Sequence, residues 1–294
     1  MRYDIRLTIE YAYAAPSDHA RNLLRLLPSD IAGTQRVTSR LLSTDPMPDE
    51  RRDCLDFFGN ATTSVAWHQP IDAVSLTLRA TVERFTPRPM LDLSPPLAAL
   101  AQEIGEVQSL RSDAPHHFLG ASPRIATQDE ITAFARERLK PGFSALEAVT
   151  QIGRALHREM RFDAEATTVD TTPAEAFAAR HGVCQDFAQV MIAALRGIGI
   201  PAGYVSGFLR TFPPPGQPRL EGADAMHAWV CAWVGHDMGW VEFDPTNDQF
   251  AGLDYITVAT GRDYSDVAPV RGVMRTAGAH ETRQAVDVVP LDKG

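Results

Sequence analysis

"RHGVCQDFAQVMIAAL", residues 180–195, places a cysteine two residues after a glycine and at the first turn of a strongly apolar segment. On a helix beginning near Gly182, the side chains of Cys184, Phe187, Met191 and Leu195 recur at three- and four-residue spacings. Val190, Ala194 and Ile198 fall on the adjacent rows, so the thiol points inward with the apolar stripe. A structural cysteine can sit anywhere on such a face. A reactive one gains from a helix N-terminus, where unpaired N–H groups and the macrodipole favour thiolates.

Whether the thiol has chemical partners is decided further along the chain. In "DAMHAWVCAWV", residues 224–234, a period of two puts His227, Trp229, Cys231 and Trp233 on one face of a strand. The apolar strand in "GWVEFDPTND", residues 239–248, ends in Asp244 just before Pro245. A carboxylate there can accept a hydrogen bond from one imidazole nitrogen of His227, fix the tautomer and leave the other nitrogen to the thiol. The imidazole would then take the thiol proton, the thiolate would attack an amide carbonyl, and backbone N–H groups at the helix start, that of Cys184 first, would hold the oxyanion. Taken singly, Cys184 reads as a core thiol and His227 as a core or rim histidine. Their joint occurrence with Asp244, in helix-then-strands order, favours chemistry.

The rest of the chain supplies a frame for this constellation. From Tyr3, the residues Tyr3, Ile5, Leu7, Ile9, Tyr11 and Tyr13 alternate with Asp4, Arg6, Thr8 and Glu10, a half-buried strand. Further β-like runs at 35–43, 61–68 and 73–83 are separated by turn material such as "STDPMPDE" and "FGNATT". The proline-rich "RFTPRPMLDLSPP" interrupts both helix and ladder, so a small antiparallel β domain is expected over residues 1–88. Helical periods follow in "PPLAALAQEIGEVQSL", "TQDEITAFARERL" and "SALEAVTQIGRALHREM", and then, after the Cys184 helix, β-like runs at 203–211, 226–234, 239–244 and 255–258. Helices first and antiparallel strands after predict an α+β domain over 89–270, leaving 271–294 as a weakly ordered tail.

Composition narrows the class of partner. The 294 residues are 44% hydrophobic and 22% charged, an ordinary globular balance. A net charge of −9 argues against nucleic acid or an anionic membrane surface as partner. No stretch approaches the roughly 20 apolar residues of a membrane span, and "MRYDIRLTIEYAY" alternates instead of forming a signal-peptide core. Three scattered cysteines, Cys54, Cys184 and Cys231, suit a reducing compartment. The expected location is the cytoplasm.

The blocks "GVCQDFAQVMIAALRGIGIPAGYVSGFL", "HAWVCAWV" and "GWVEFDPTND", in that order, resemble the transglutaminase-like superfamily, in its branch of bacterial cysteine proteases and amide acyltransferases. "DCLDFFGNATTSVAW" is similar to the N-terminal domain found in the bacterial branch. The resemblance implies a papain-like core whose Cys-bearing helix sits on an antiparallel sheet, with Cys184 as nucleophile, His227 as general base and Asp244 as orienting acid. It implies thiol-dependent acyl transfer on a peptide or protein amide through a thioester, with hydrolysis the less demanding outcome and transamidation or a non-catalytic peptide-binding scaffold the alternatives. Animal transglutaminases use calcium, but no loop here carries alternating oxygen ligands, so neither metal nor cofactor is expected.

Weaker signals complete the reading. Cys231 with His227 and Cys184 lacks a fourth ligand for zinc, so Cys231 reads as a core thiol. Asp186 is either an acceptor beside the site or a helix-start carboxylate, and His181 either tunes the thiol or is solvated. His116 and His117 sit in a polar loop without an identified partner. Trp229 and Trp240 line a groove or pack in the core, and "FPPPGQPRLEG" is a substrate rim or a plain connector.

Overall fold

A computed structural model of the chain describes residues 1–86, 91–213, 216, 220–222, 224–275 and 280–291. The alternation that starts at Tyr3 becomes β1 (Arg2–Leu24), with Tyr3, Ile5 and Leu7 fully buried on its inner face. β1 is long enough to serve two sets of neighbours. Its first half is flanked by β5 (Ile71–Arg84), itself paired to β2 (Gln35–Asp45). Its second half, from Ala20, pairs with β4 (Ala61–Trp67), which carries β3 (Glu50–Leu55) on its far side.

The helical segment follows as α1 (Leu97–Glu106), α2 (Asp129–Glu137), α3 (Ala145–Glu159), α4 (Pro173–Ala179) and α5 (Cys184–Gly197). Two short strands, β6 (Arg161–Phe162) and β7 (His181–Gly182), pair in parallel and tie the end of α3 to the start of α5. Then come β8 (Ala202–Leu209), β9 (Ala225–Trp233), β10 (Trp240–Asp244), β11 (Gln249–Phe250) and β12 (Tyr255–Gly261), an antiparallel sheet in the order β11-β10-β9-β8-β12. α5 lies between this sheet and α2, α3 and α4, and every residue from Asp186 to Leu195 is buried. The stripe of Phe187, Met191 and Leu195 is therefore core, each side chain contributing about 1.5–3 kcal/mol of burial. The α+β class with a separate N-terminal β region is as the sequence predicts.

The C-terminal segment corrects the expected tail. After α6 (Tyr264–Val267), β13 (Val270–Arg275) and β14 (His280–Pro290) return to the first sheet and pair with β1, β14 from Tyr3 to Tyr13. Of β14 only Val286 and Val288 are buried core residues, so the strand carries too little apolar alternation to be read from the sequence. The first sheet is also bonded to the second lobe. Tyr3 Oη donates to Asp254 Oδ1 at 2.9 Å, Asn60 exchanges hydrogen bonds with the Thr260 backbone at 2.9 and 2.8 Å, and the buried Gln35 carboxamide bonds the Thr257 backbone at 2.8 and 2.9 Å. No helix among the described residues is long and apolar enough to cross a membrane.

Candidate active site

The chain reverses sharply just before Cys184. α4 opens with a reciprocal cap, Thr172 Oγ1 accepting from the Glu175 N–H at 3.3 Å and the Glu175 carboxylate accepting from the Thr172 N–H at 2.8 Å. It closes on Arg180 in the left-handed region, φ 58°, a conformation that costs a non-glycine residue about 1 kcal/mol or more. The Arg180 guanidinium lies over the Phe177 ring at 3.9 Å. β7 and Val183 follow, and α5 starts at Cys184 itself. At the third helical position Asp186 folds back, its Oδ2 accepting from the Val183 N–H at 2.8 Å and from the Thr167 hydroxyl at 2.6 Å. Burial pushes the Asp186 carboxyl up despite those two donors. Cys184 is thus held as the first residue of the helix, partly exposed, with an N–H that has no intrahelical acceptor.

His227 comes from β9, opposite Gly207 of β8. A Cβ at Gly207 would collide with the Ile256 carbonyl and meet the Trp229 ring at 2.5 Å, so the glycine leaves room for that indole. Trp229 in turn stacks beside the imidazole, centroids 6.2 Å apart and planes 28° from parallel, and is anchored by its Nε1 donating to Glu242 at 2.8 Å. The His227 Nε2 meets Asp244 Oδ2 at 2.7 Å, which leaves Nδ1 free of Asp244, and the Cys184 thiol lies near enough to the ring to raise its pKa. Burial by itself lowers the imidazole pKa, but Asp244 and Cys184 together outweigh it and push it up to about 10.

Asp244, at the end of β10, is completely buried and receives five donors. Oδ2 takes His227 Nε2 at 2.7 Å, Asn247 Nδ2 at 2.7 Å and Tyr255 Oη at 2.8 Å; Oδ1 takes the N–H of Thr246 at 2.8 Å and of Asn247 at 3.3 Å. Burial would raise its pKa, yet the imidazole and the other donors hold it below the usual carboxylate range. Such a group stays ionised and can stabilise an imidazolium without taking its proton. Of the three sequence-nominated residues, His227 and Asp244 are joined in one chain of hydrogen bonds, and Cys184 lies beside the ring.

Two members of that chain escape the sequence reading. Asn247 lies inside the quoted "DPTND" turn, where its carboxamide folds back on Asp244. Tyr255, whose hydroxyl also accepts from Gln249 Nε2 at 2.7 Å, reads from sequence only as the first residue of an apolar strand. The other nominated residues fall into place individually. Cys231 is buried with Val205, Trp229 and Tyr255, and burial pushes its thiol well up. Trp229 is wholly buried and belongs to the core, while Trp240 is half-buried, its Nε1 donating to the Asp113 carbonyl at 2.9 Å. His181 is close enough to Asp186 to offset a small part of the rise that burial causes in that carboxyl's pKa. His116 and His117 form a 3-10 turn, rings 4.6 Å apart, away from the triad. Residues 214, 215 and 217–219 of the 212–222 loop lie outside the described residues.

Comparison with known proteins bears on the family and the fold. Residues 130–245 match the transglutaminase-like superfamily core and residues 3–83 the bacterial transglutaminase-like N-terminal region. An uncharacterized protein of Mycobacterium tuberculosis is 34% identical over 305 residues, covering 99% of this chain and 93% of its own. One of Mycobacterium leprae is 29% identical over 285 residues, covering 96% of each. Among solved structures, one from Cytophaga hutchinsonii, provisionally named a cysteine protease, superposes with a TM-score of 0.75 at 20% identity over 100% of this chain and 92% of that one. At that identity the likeness speaks for the fold.

Proposed function

The chain belongs to the transglutaminase-like superfamily, and we propose from its site geometry that it is an enzyme catalysing thiol-dependent acyl transfer on a peptide or protein amide. Cys184 is the nucleophile, His227 the general base and later general acid, and Asp244 the carboxylate that fixes the ring. In the first half-reaction His227 already holds the Cys184 proton as an imidazolium, and the thiolate sulfur attacks the amide carbonyl carbon. The oxyanion is met by the free Cys184 N–H, and collapse expels the amine with the proton from His227, leaving a thioester. In the second half-reaction water, deprotonated by His227, attacks the thioester and releases the acid; an amine acceptor would give a new amide instead.

The observation that carries this reading is the 2.7 Å contact between His227 Nε2 and a buried, five-fold hydrogen-bonded Asp244, with Cys184 close enough to the ring to raise its pKa. Hydrolysis is the preferred outcome because water needs no dedicated binding site. The test is mass spectrometry of Cys184-containing peptides after brief incubation with cell extract and acid quench. A peptidyl or aminoacyl mass added to Cys184, absent from Cys184→Ser under conditions that cleave thioesters, supports the reading and identifies the acyl group. No adduct, with or without Asp244→Asn to slow turnover, favours a peptide-binding scaffold.

A further inference from the structure

A cavity of about 400 Å³ lies where the two lobes meet, lined by neither Cys184, His227 nor Asp244. Three arginines face it from three parts of the chain: Arg25 after β1, Arg262 after β12 and Arg271 on β13. Two of them are matched. Arg25 Nε donates to Asp56 at 3.0 Å, and Arg262 Nε and Nη2 donate to Asp266 at 2.8 and 3.0 Å. Arg271 adds a third guanidinium, with no third carboxylate among the lining residues. The lining is thus cationic on a chain whose net charge is −9.

Two nitrogens of these lining residues are buried and lack partners among the described residues. Arg25 is only 8% exposed, and its Nη1 has no hydrogen-bond partner; neither has the buried Nε2 of His117. A bound acceptor would give such groups the partner they lack. Beside them Phe57, 59% exposed, stands edge-on to Phe58 at 5.0 Å and to the His117 ring at 5.3 Å, giving the cavity an aromatic flank.

We propose that this cavity binds a small organic oxyanion, a carboxylate or phosphate monoester, its charged group held by Arg25 Nη1, Arg271 and His117 and its apolar part lying against Phe57. Because the donors come from both lobes, occupancy clamps the lobes together. The site is independent of the catalytic reading. Thermal unfolding of the full chain, with phenyl phosphate or benzoate titrated at constant ionic strength, tests it, and the stronger probe names the oxyanion. A saturable rise in Tm is expected, with the apparent Kd weakened at least about tenfold in Arg271→Gln. Arg25→Gln would also strip Asp56 of its partner, so the exposed Arg271 is the variant of choice, with one-to-one calorimetric binding to the wild type as the second measurement. No saturable effect of either probe, or an equal effect in Arg271→Gln, would overturn the proposal.

Discussion

Gly182 has no room for a side chain because the carboxylate of Asp186 occupies the space: a Cβ there would lie 2.5 Å from Oδ2 and 2.7 Å from the Asp186 Cβ. The glycine two residues before the nucleophile and the acid two residues after it are one device. It folds a carboxylate over the backbone and gives the Val183 N–H an acceptor. Gly182→Ala should therefore lower stability by about 1–3 kcal/mol, the range of overpacking. Asp186→Ala should lower it by about 1–2 kcal/mol through loss of the cap, and Asp186→Asn, which keeps an acceptor oxygen, by less. Urea unfolding checks the order; equal losses for the Ala and Asn variants would deny Asp186 its capping role.

Asp244 accepts from five donors and donates to none. In Asp244→Asn an amide NH₂ must replace one oxygen and face donors. That variant should lose about 2–3 kcal/mol of stability, the cost of an unmatched buried group near charge, and about 10²–10⁴-fold in turnover through the wrong tautomer. Tyr255→Phe removes one of those donors and the acceptor of Gln249 Nε2, and should cost about 1–2 kcal/mol with the active-site residues otherwise in place. Chemical denaturation paired with turnover on the acyl donor found by trapping separates the two; wild-type turnover in Asp244→Asn would remove Asp244 from the mechanism.

The pH dependence of stability follows from the same pair. The folded pKa of His227 lies above its unfolded value of about 6.5, so the stability its charge contributes is complete below that value and is lost as pH rises towards about 10. Asp244 works the other way: its pKa is lowered, so its contribution is present above about 3.9 and is lost as pH falls through the depressed value. The stability difference between wild type and His227→Gln should therefore shrink steadily from neutral pH towards pH 10, as followed by guanidinium unfolding at several pH values. A difference that stays flat above neutral would show that the ring is not held charged.

Periodicity was a good guide wherever one face is buried. β1, β5, α3 and α5 carry clean apolar alternation or stripes, and β9 and β10 bring His227 and Asp244 within 2.7 Å of each other. It failed where burial is slight. β3 is exposed at all six positions, α4 spans only seven residues despite its Thr172–Glu175 cap, and β14 buries two valines. Of the site, the three titrating groups were legible because acid–base chemistry restricts residue type and order. Tyr255 and Asn247 were not, since a tyrosine opening a strand and an asparagine in a turn each have an ordinary structural use.

The central claim is that Cys184 is an activated nucleophile, and selective alkylation tests it without knowledge of the substrate. Cys54 is exposed, Cys184 partly exposed and Cys231 buried, so access alone would label Cys54 first. His227, charged at neutral pH, sets a positive charge beside Cys184, the one cysteine that bears on its pKa. A thiol with the reference pKa of about 8.5 is only about one part in 300 ionised at pH 6 and reacts slowly there. Under limiting iodoacetamide at about pH 6, peptide mass spectrometry of the folded protein should find Cys184 modified well ahead of Cys54, with His227→Ala removing that lead. Labelling of Cys54 first, at a rate for Cys184 that His227→Ala leaves unchanged, would contradict the account.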